Sequence, residues 1–141
     1  MTERAARRAL AVVAAAGLAV AAYLTVTHAA GAAPVCSTSR GCEVVANSPY
    51  SSIAGIPVAA VGIAGYLVLL SCAAARGDFA RFAGLAAALI GVAFSGYLTY
   101  LELFVIDAVC QWCIASAVLM AAALAASICR LRAAWADPAA G

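Results

Sequence analysis

The sequence predicts an all-α integral membrane protein, a bundle of four transmembrane helices with an extracytoplasmic loop capping one end. Three observations carry that expectation: an extreme apolar composition, four apolar runs of spanning length, and arginines confined almost entirely to alternate connections. Of 141 residues, 67% are hydrophobic and 10% charged, with a mean hydropathy of +1.07. Ordinary soluble domains are about 45–50% apolar and about 25% charged. A chain of this length has room for one domain, residues 1–141, and no soluble core of that size could hide so much apolar surface. The net charge of +2 is too small for a nucleic-acid-binding surface. The bilayer is the expected partner.

A helix needs about 20 mostly apolar residues to cross a hydrocarbon core of roughly 30 Å. Four stretches meet that requirement, at about residues 9–27, 56–75, 82–106 and 109–129. All are rich in Ala, Leu, Val, Ile and Gly, and such small residues let membrane helices approach closely. Between the first and second runs lies a loop of about residues 28–55, with Pro34, Gly41, Asn47, Ser48 and Pro49 to prevent a long helix. The residues after Arg132 are too few to fold by themselves.

Orientation follows from the arginines. Arg4, Arg7 and Arg8 precede the first span, Arg76 and Arg81 separate the second from the third, and Arg130 and Arg132 close the fourth. Only Arg40 falls in the first loop, and the connection between the third and fourth spans has none. Positively charged flanks stay inside, so both termini and the turn at residues 76–81 are expected in the cytoplasm and the long loop outside. Tyr23, Tyr50, Tyr97, Tyr100 and Trp112 fall near the outer interface, where amphipathic rings prefer to sit. The first span resembles a signal peptide, with small residues at Ala30-Gly31-Ala32. Cleavage there would leave three spans and upset the charge pattern, so the segment is expected to be retained. Pro34-Val35 before Cys36 lacks the small residue that a lipid-modified cysteine needs beside it.

Six cysteines in so short a chain invite redox or metal readings. Cys110-Gln111-Trp112-Cys113 opens the fourth span, with Asp107 placed to cap that helix. Helix N-termini and C-x-x-C motifs both lower thiol pKa, which suits a redox dithiol. A structural disulfide or half a zinc site is the plainer alternative. Cys36 and Cys42, with five residues between them and Gly41 to ease closure, can form a disulfide on the same side. Alone that pair is a loop staple; beside a second dithiol it suits a relay by thiol–disulfide exchange. A four-cysteine zinc site is disfavoured by the lack of a second C-x-x-C or a helping histidine. Cys72 and Cys129 have no partner on their own side and read as packing residues. Glu102, near the outer end of the third span, reads first as an interfacial acid and second as a functional one. His28 reads as an interfacial polar residue.

The order of helix, spaced cysteine pair, helix, helix and C-x-x-C resembles the vitamin K epoxide reductase family, above all its short bacterial members. Residues 42–57 (CEVVANSPYSSIAGIP) look like that family's loop into its second helix, and residues 97–113 (YLTYLELFVIDAVCQWC) like its approach to the redox motif. The likeness runs from the first helix to the last. It implies a four-helix bundle around a quinone of the menaquinone or ubiquinone type. It also implies Cys110 and Cys113 as the active-site dithiol and Cys36 and Cys42 as the shuttling pair. Ser48 matches the hydroxyl that the family keeps between the loop cysteines and the second helix. Ser51 falls where animal members carry an asparagine that bonds the quinone, and Ala117 falls where they carry a tyrosine. These departures shift the expectation from epoxide reduction to thiol oxidation by a respiratory quinone. A fifth helix and a fused thioredoxin-like domain, present in some bacterial members, have no room here, so a thioredoxin-fold thiol oxidant is expected in trans.

The function expected is a membrane thiol:quinone oxidoreductase that reoxidises that partner and supports disulfide formation. A rival of another class is a non-catalytic membrane assembly subunit with two structural disulfides. The other bacterial family of four-helix thiol oxidases carries its C-x-x-C in the first outer loop, the reverse of the order here.

Overall fold

In the computed structural model, which describes residues 1–36 and 40–140, the chain is helical from its third residue. Helix α1 (Glu3–Ala29) begins six residues before the apolar run, because the Thr2 hydroxyl accepts the Ala5 amide at 3.2 Å and Glu3 lies in the first turn. A short helix α2 (Gly41–Ala46) and a 3-10 turn at Pro49–Ser51 occupy the long connection. The spacer Ser37-Thr38-Ser39 of the loop cysteine pair lies outside the described residues. A minimal antiparallel hairpin follows, β1 (Ser52–Ile53) paired with β2 (Ile56–Pro57), Ser52 opposite Pro57 and Ile53 opposite Ile56. Ala54 and Gly55 both take positive φ there, 52° and 83°, the handedness that a two-residue hairpin turn requires.

Helix α3 (Val58–Ala74) is the shortest of the four long helices, at 17 residues. Helix α4 (Asp78–Leu101) runs straight into a π-helical turn, Glu102–Ile106. Helix α5 (Gln111–Ala136) is seven residues longer at its C-terminal end than the apolar run predicts. Arg130 and Arg132 therefore lie within it instead of following it, and Ala133 and Ala134, strong helix formers, continue the ladder. Among these helices α1, α4 with its π turn, and α5 are long and apolar enough to cross a membrane.

Helix α1 packs against α3 and α5, and α4 against α5 and α3, which closes a four-helix arrangement. Its core alternates large and small side chains: Leu10 and Ala14 of α1, Tyr66 and Leu69 of α3, Ala88 of α4, and Met120 and Ala123 of α5. Gly17 of α1 makes room for the Tyr66 ring, which a Cβ at that position would overlap. Outward residues such as Val12, Leu67, Leu89 and Val118 are exposed and apolar, a surface suited to lipid.

At the end of the bundle remote from the loop, arginines close the short helix. Arg7 donates to the Ala73 and Ala74 carbonyls at 3.0 and 3.1 Å, and Arg130 to those of Cys72 and Ala75 at 2.7 and 2.8 Å. Arg81 grips Glu3 at 2.9 Å and Asp78 at 2.6 Å. The carbonyls that α3 leaves unpaired at its C-terminus are thus taken up by charged donors from α1 and α5.

Candidate active site

Cys110 stands immediately before the first residue of α5, in extended conformation (φ −95°, ψ 115°), and its own side chain makes no cap bond. The Glu102 carboxylate supplies the missing acceptor, taking the Cys110 amide at 3.1 Å. Asp107, expected to cap this helix, does not. It sits in the left-handed region (φ 55°, ψ 32°) with its amide on the Glu102 carbonyl, and the Ala108 amide joins the same carbonyl at 3.1 Å. The reason is one of register: the helix starts at Gln111, and a cap must directly precede the first helical residue, whereas Asp107 ends the π turn.

Cys110 and Cys113 are free thiols in hydrogen-bonding contact with each other. Cys110 lies just ahead of the spanning helix. The Cys113 thiol, followed by the amides of Cys113 and Trp112, holds the Cys110 thiol below its ordinary pKa range against the opposing effects of burial and the Glu102 charge. Cys110 is 2% exposed.

Cys36 and Cys42 are joined in a disulfide, with 5.9 Å between their Cα atoms. Cys42, 1% exposed, is carried by α2, which packs against α5 and the π turn. Gly41 makes that approach feasible, since a Cβ there would run into the Val109 carbonyl. The adjoining segment is held by its backbone. The Val35 amide donates to the Tyr23 hydroxyl at 3.0 Å, and the Trp112 indole donates to the Val35 carbonyl at 2.6 Å. The Tyr23 and Trp112 rings themselves lie 5.1 Å apart between centroids. Two aromatics that read from the sequence as interfacial anchors therefore seat the residue before Cys36. Their partner is a main-chain group, which leaves no side-chain signal in the sequence.

Helices α1, α3, α4 and α5 and the loop enclose a cavity of about 530 Å³. Its walls are mainly apolar, including Val58, Val61, Ile90, Phe94, Leu98 and Met120. Cys42, Cys110, Cys113 and Glu102 line it together, so three of the four paired cysteines meet on one surface. Cys36 is half-buried and does not line it. Ser48 and Ser51 also line the cavity, but each hydroxyl proton is already committed, Ser48 to the Val45 carbonyl at 2.7 Å and Ser51 to the Ser48 carbonyl at 2.9 Å. His28 and Tyr50, read from the sequence as interfacial residues, join them, as does the Tyr66 hydroxyl, bonded to Ser116 Oγ at 2.8 Å, which sequence reasoning passed over. Cys72 and Cys129 stand apart from this cavity.

A disulfide and a dithiol thus stand beside one apolar cavity, an arrangement in which thiol–disulfide exchange is chemically possible. Residues 8–128 match the sequence model of the vitamin K epoxide reductase family.

Proposed function

The chain belongs to the vitamin K epoxide reductase family of oxidoreductases and is a multi-pass membrane protein, and from that premise we propose a thiol:quinone oxidoreductase of the bacterial cytoplasmic (inner) membrane. The meeting of Cys42, Cys110 and Cys113 on one apolar cavity supports this reading above all. In it α3 is the fourth span: 17 residues rise about 26 Å, close to the roughly 30 Å of a hydrocarbon core. Both termini are cytoplasmic and the cysteine pairs face outside, in keeping with the arginine distribution. The loop caps the cavity.

A thioredoxin-fold partner, reduced by its own substrates, attacks the Cys36–Cys42 disulfide at Cys36, the more exposed sulfur. Cys42 leaves as a thiolate and attacks Cys110 of the Cys110–Cys113 disulfide, which frees Cys113. The partner's second thiol then releases Cys36, and Cys36 recovers Cys42. The loop disulfide is restored and Cys110 and Cys113 remain as a dithiol, so each exchange breaks one S–S bond and forms another. Cys110 is suited to being attacked and to leaving again, because the Cys113 thiol and first-turn amides stabilise its thiolate.

A quinone supplies, when bound, the acceptor for the two electrons and two protons that the dithiol must lose. The cavity fits such a group: its volume lies within the range of small-molecule sites, roughly 300–1,000 Å³, and its apolar walls suit a ring and a prenyl chain. Val58, Val61, Phe94 and Leu98 would hold the ring, with Ser48 and Ser51 at its polar edge. For either serine to donate to a quinone carbonyl, its hydroxyl must first leave the backbone carbonyl it now serves.

The test is quinone-dependent turnover by purified protein supplied with a reduced thioredoxin-fold protein or a small dithiol, followed as loss of quinone absorbance. Turnover that requires all four paired cysteines is expected. A well-folded protein that reduces no quinone would leave the non-catalytic assembly subunit as the better account.

A further inference from the structure

Electrons have a path through the four cysteines, but the protons that leave with them need one too. We propose that Glu102 is the proton carrier of the dithiol site, its carboxylate taking the proton of the Cys113 thiol and passing it to the acceptor in the cavity. This inference rests on the thiol:quinone reading.

Three independent features of the site point to it. Glu102 is 3% exposed within a membrane-spanning segment, and among the described residues no ion pair reaches it. Burying an acid there is costly, and such acids mark proton paths and ligand sites. Second, Glu102 is the only carboxylate among the described residues that line the cavity, and the Cys113 thiol lies within hydrogen-bonding reach of it. Third, the backbone fixes it in place. The Glu102 carbonyl accepts two successive amides across the π turn, Asp107 and Ala108, while its carboxylate takes the Cys110 amide at 3.1 Å. Single π-helical turns inside α-helices are frequent at functional sites, because the extra residue redirects side chains. Here the redirected side chain meets the Cys110 amide and the Cys113 thiol.

The balance closes. Oxidising Cys110–SH and Cys113–SH to a disulfide releases two electrons and two protons, and reduction of one quinone to hydroquinone consumes both pairs. Glu102 carries one of those protons and ends as the carboxylate it began as. The other passes from the Cys110 thiol to the quinone itself, since Cys110 lines the same cavity. The remaining titratable groups around the carboxylate are His28, Tyr50 and Tyr66, which line the same cavity, and Asp107 and Glu43, the latter on α2 packed against the π turn.

Glu102→Gln separates carrying a proton from capping a helix, since the amide oxygen can still accept from Cys110 but cannot take a proton. General-base assistance contributes about 10²–10⁴-fold. The variant is expected to lose roughly 100-fold in kcat at neutral pH with little change in KM for the quinone. Its rate should then climb with pH where the wild type is flat, as hydroxide takes over, and Glu102→Asp should recover part of the loss. A second readout needs no quinone. Time-resolved infrared difference spectra during chemical oxidation of the wild-type dithiol should contain a transient protonated-carboxyl band that Glu102→Gln abolishes. A folded Glu102→Gln protein with wild-type rate, or one that is slow but keeps the wild-type pH profile, would overturn the proposal, and so would difference spectra without that band. If the wild type itself reduced no quinone, the functional reading would fall, while the infrared result would still decide whether Glu102 exchanges a proton with the thiols.

Discussion

The two ends of this bundle face the same problem, backbone groups left unpaired where helices stop, and solve it with different chemistry. At the end remote from the loop, fixed charges do the work. Arg7 and Arg130 take four carbonyls of α3, and Arg81 locks to Glu3 and Asp78. At the loop end the cap on α5 is a carboxylate that can be protonated, and the clamp on Val35 is a phenol and an indole. Among the described residues no arginine lines the cavity between them. Guanidinium groups stay charged at every working pH, so the first end is fixed. Thiols and a carboxyl exchange protons and bonds, so the second can react. Stability and reactivity are thus built from different residue types at opposite ends of the same four helices.

The comparison breaks most completely if the two ends do not face opposite compartments. A reporter fused beyond Ala136, where α5 ends, is expected in the cytoplasm, and one inserted near Ser39 outside. Two reporters on one side would remove the shared compartment on which the relay depends.

Within the loop end, Cys113→Ala should abolish quinone-dependent turnover and accumulate a Cys42–Cys110 cross-link. Without Cys113 the Cys110 thiolate can only attack the loop disulfide at Cys42, and no neighbouring thiol remains to displace Cys42 from Cys110. Cys110→Ala should be equally inactive without that cross-link. Mass spectrometry of thiol-blocked, non-reduced peptides reads both outcomes. A dominant Cys36–Cys110 link in the Cys113→Ala protein would exchange the roles given to the loop cysteines.

The remote end should answer in stability instead. Arg130 is 1% exposed, and Arg130→Ala removes its bonds to the buried Cys72 carbonyl and the part-buried Ala75 carbonyl. Hydrogen bonds from a charged donor are worth about 1.5–3 kcal/mol each, so a loss of about 3 kcal/mol or more is expected. Chemical unfolding in detergent should reveal it, while turnover per folded molecule stays near wild type. A fall in turnover without a fall in stability would show that the ends are coupled.

Smaller still is Trp112→Phe, which keeps the ring but removes the 2.6 Å bond to Val35. One neutral hydrogen bond is worth about 1 kcal/mol, or roughly fivefold in rate. Oxidation of the protein partner should slow by about that factor, and oxidation of a small dithiol by less. Comparing the two substrates in one preparation checks this. Smallest of all, Cys72→Ala and Cys129→Ala, alone or together, should leave turnover within about twofold of wild type. Arg130 bonds the Cys72 carbonyl, not its sulfur, so that contact survives the change.

Much of the frame was legible because composition and spacing encode it directly. The four apolar runs mark the long helices, and the placement of Cys42, Cys110 and Cys113 on one cavity agrees with two pairs flanking those runs. Residues whose partners are backbone atoms far along the chain were not legible. Trp112 and Val35 are 77 residues apart, and Arg130 and Cys72 are 58 apart. Nothing in either local sequence announces the bond. Arg130 and Arg132 looked like flanks because hydropathy falls at a charge, yet the helix ladder does not depend on hydropathy and continues to Ala136. Glu102 and Asp107 exchanged roles for a third reason. A π turn inserts one residue into the helix, and no hydrophobic period read from sequence detects that insertion. Ser48 and Ser51, matched by resemblance, line the cavity but spend their protons on the backbone, a commitment only coordinates reveal.

The clamp on Val35 acts on the peptide groups alone, through the amide and the carbonyl, while the side chain stands 72% exposed. Any residue other than proline can offer those two groups. The position before Cys36 is therefore free to vary in shape and charge without unseating the disulfide. In the proposed relay, a different protein partner could be met by changing that one side chain, with the Cys36–Cys42 disulfide beside it left in place.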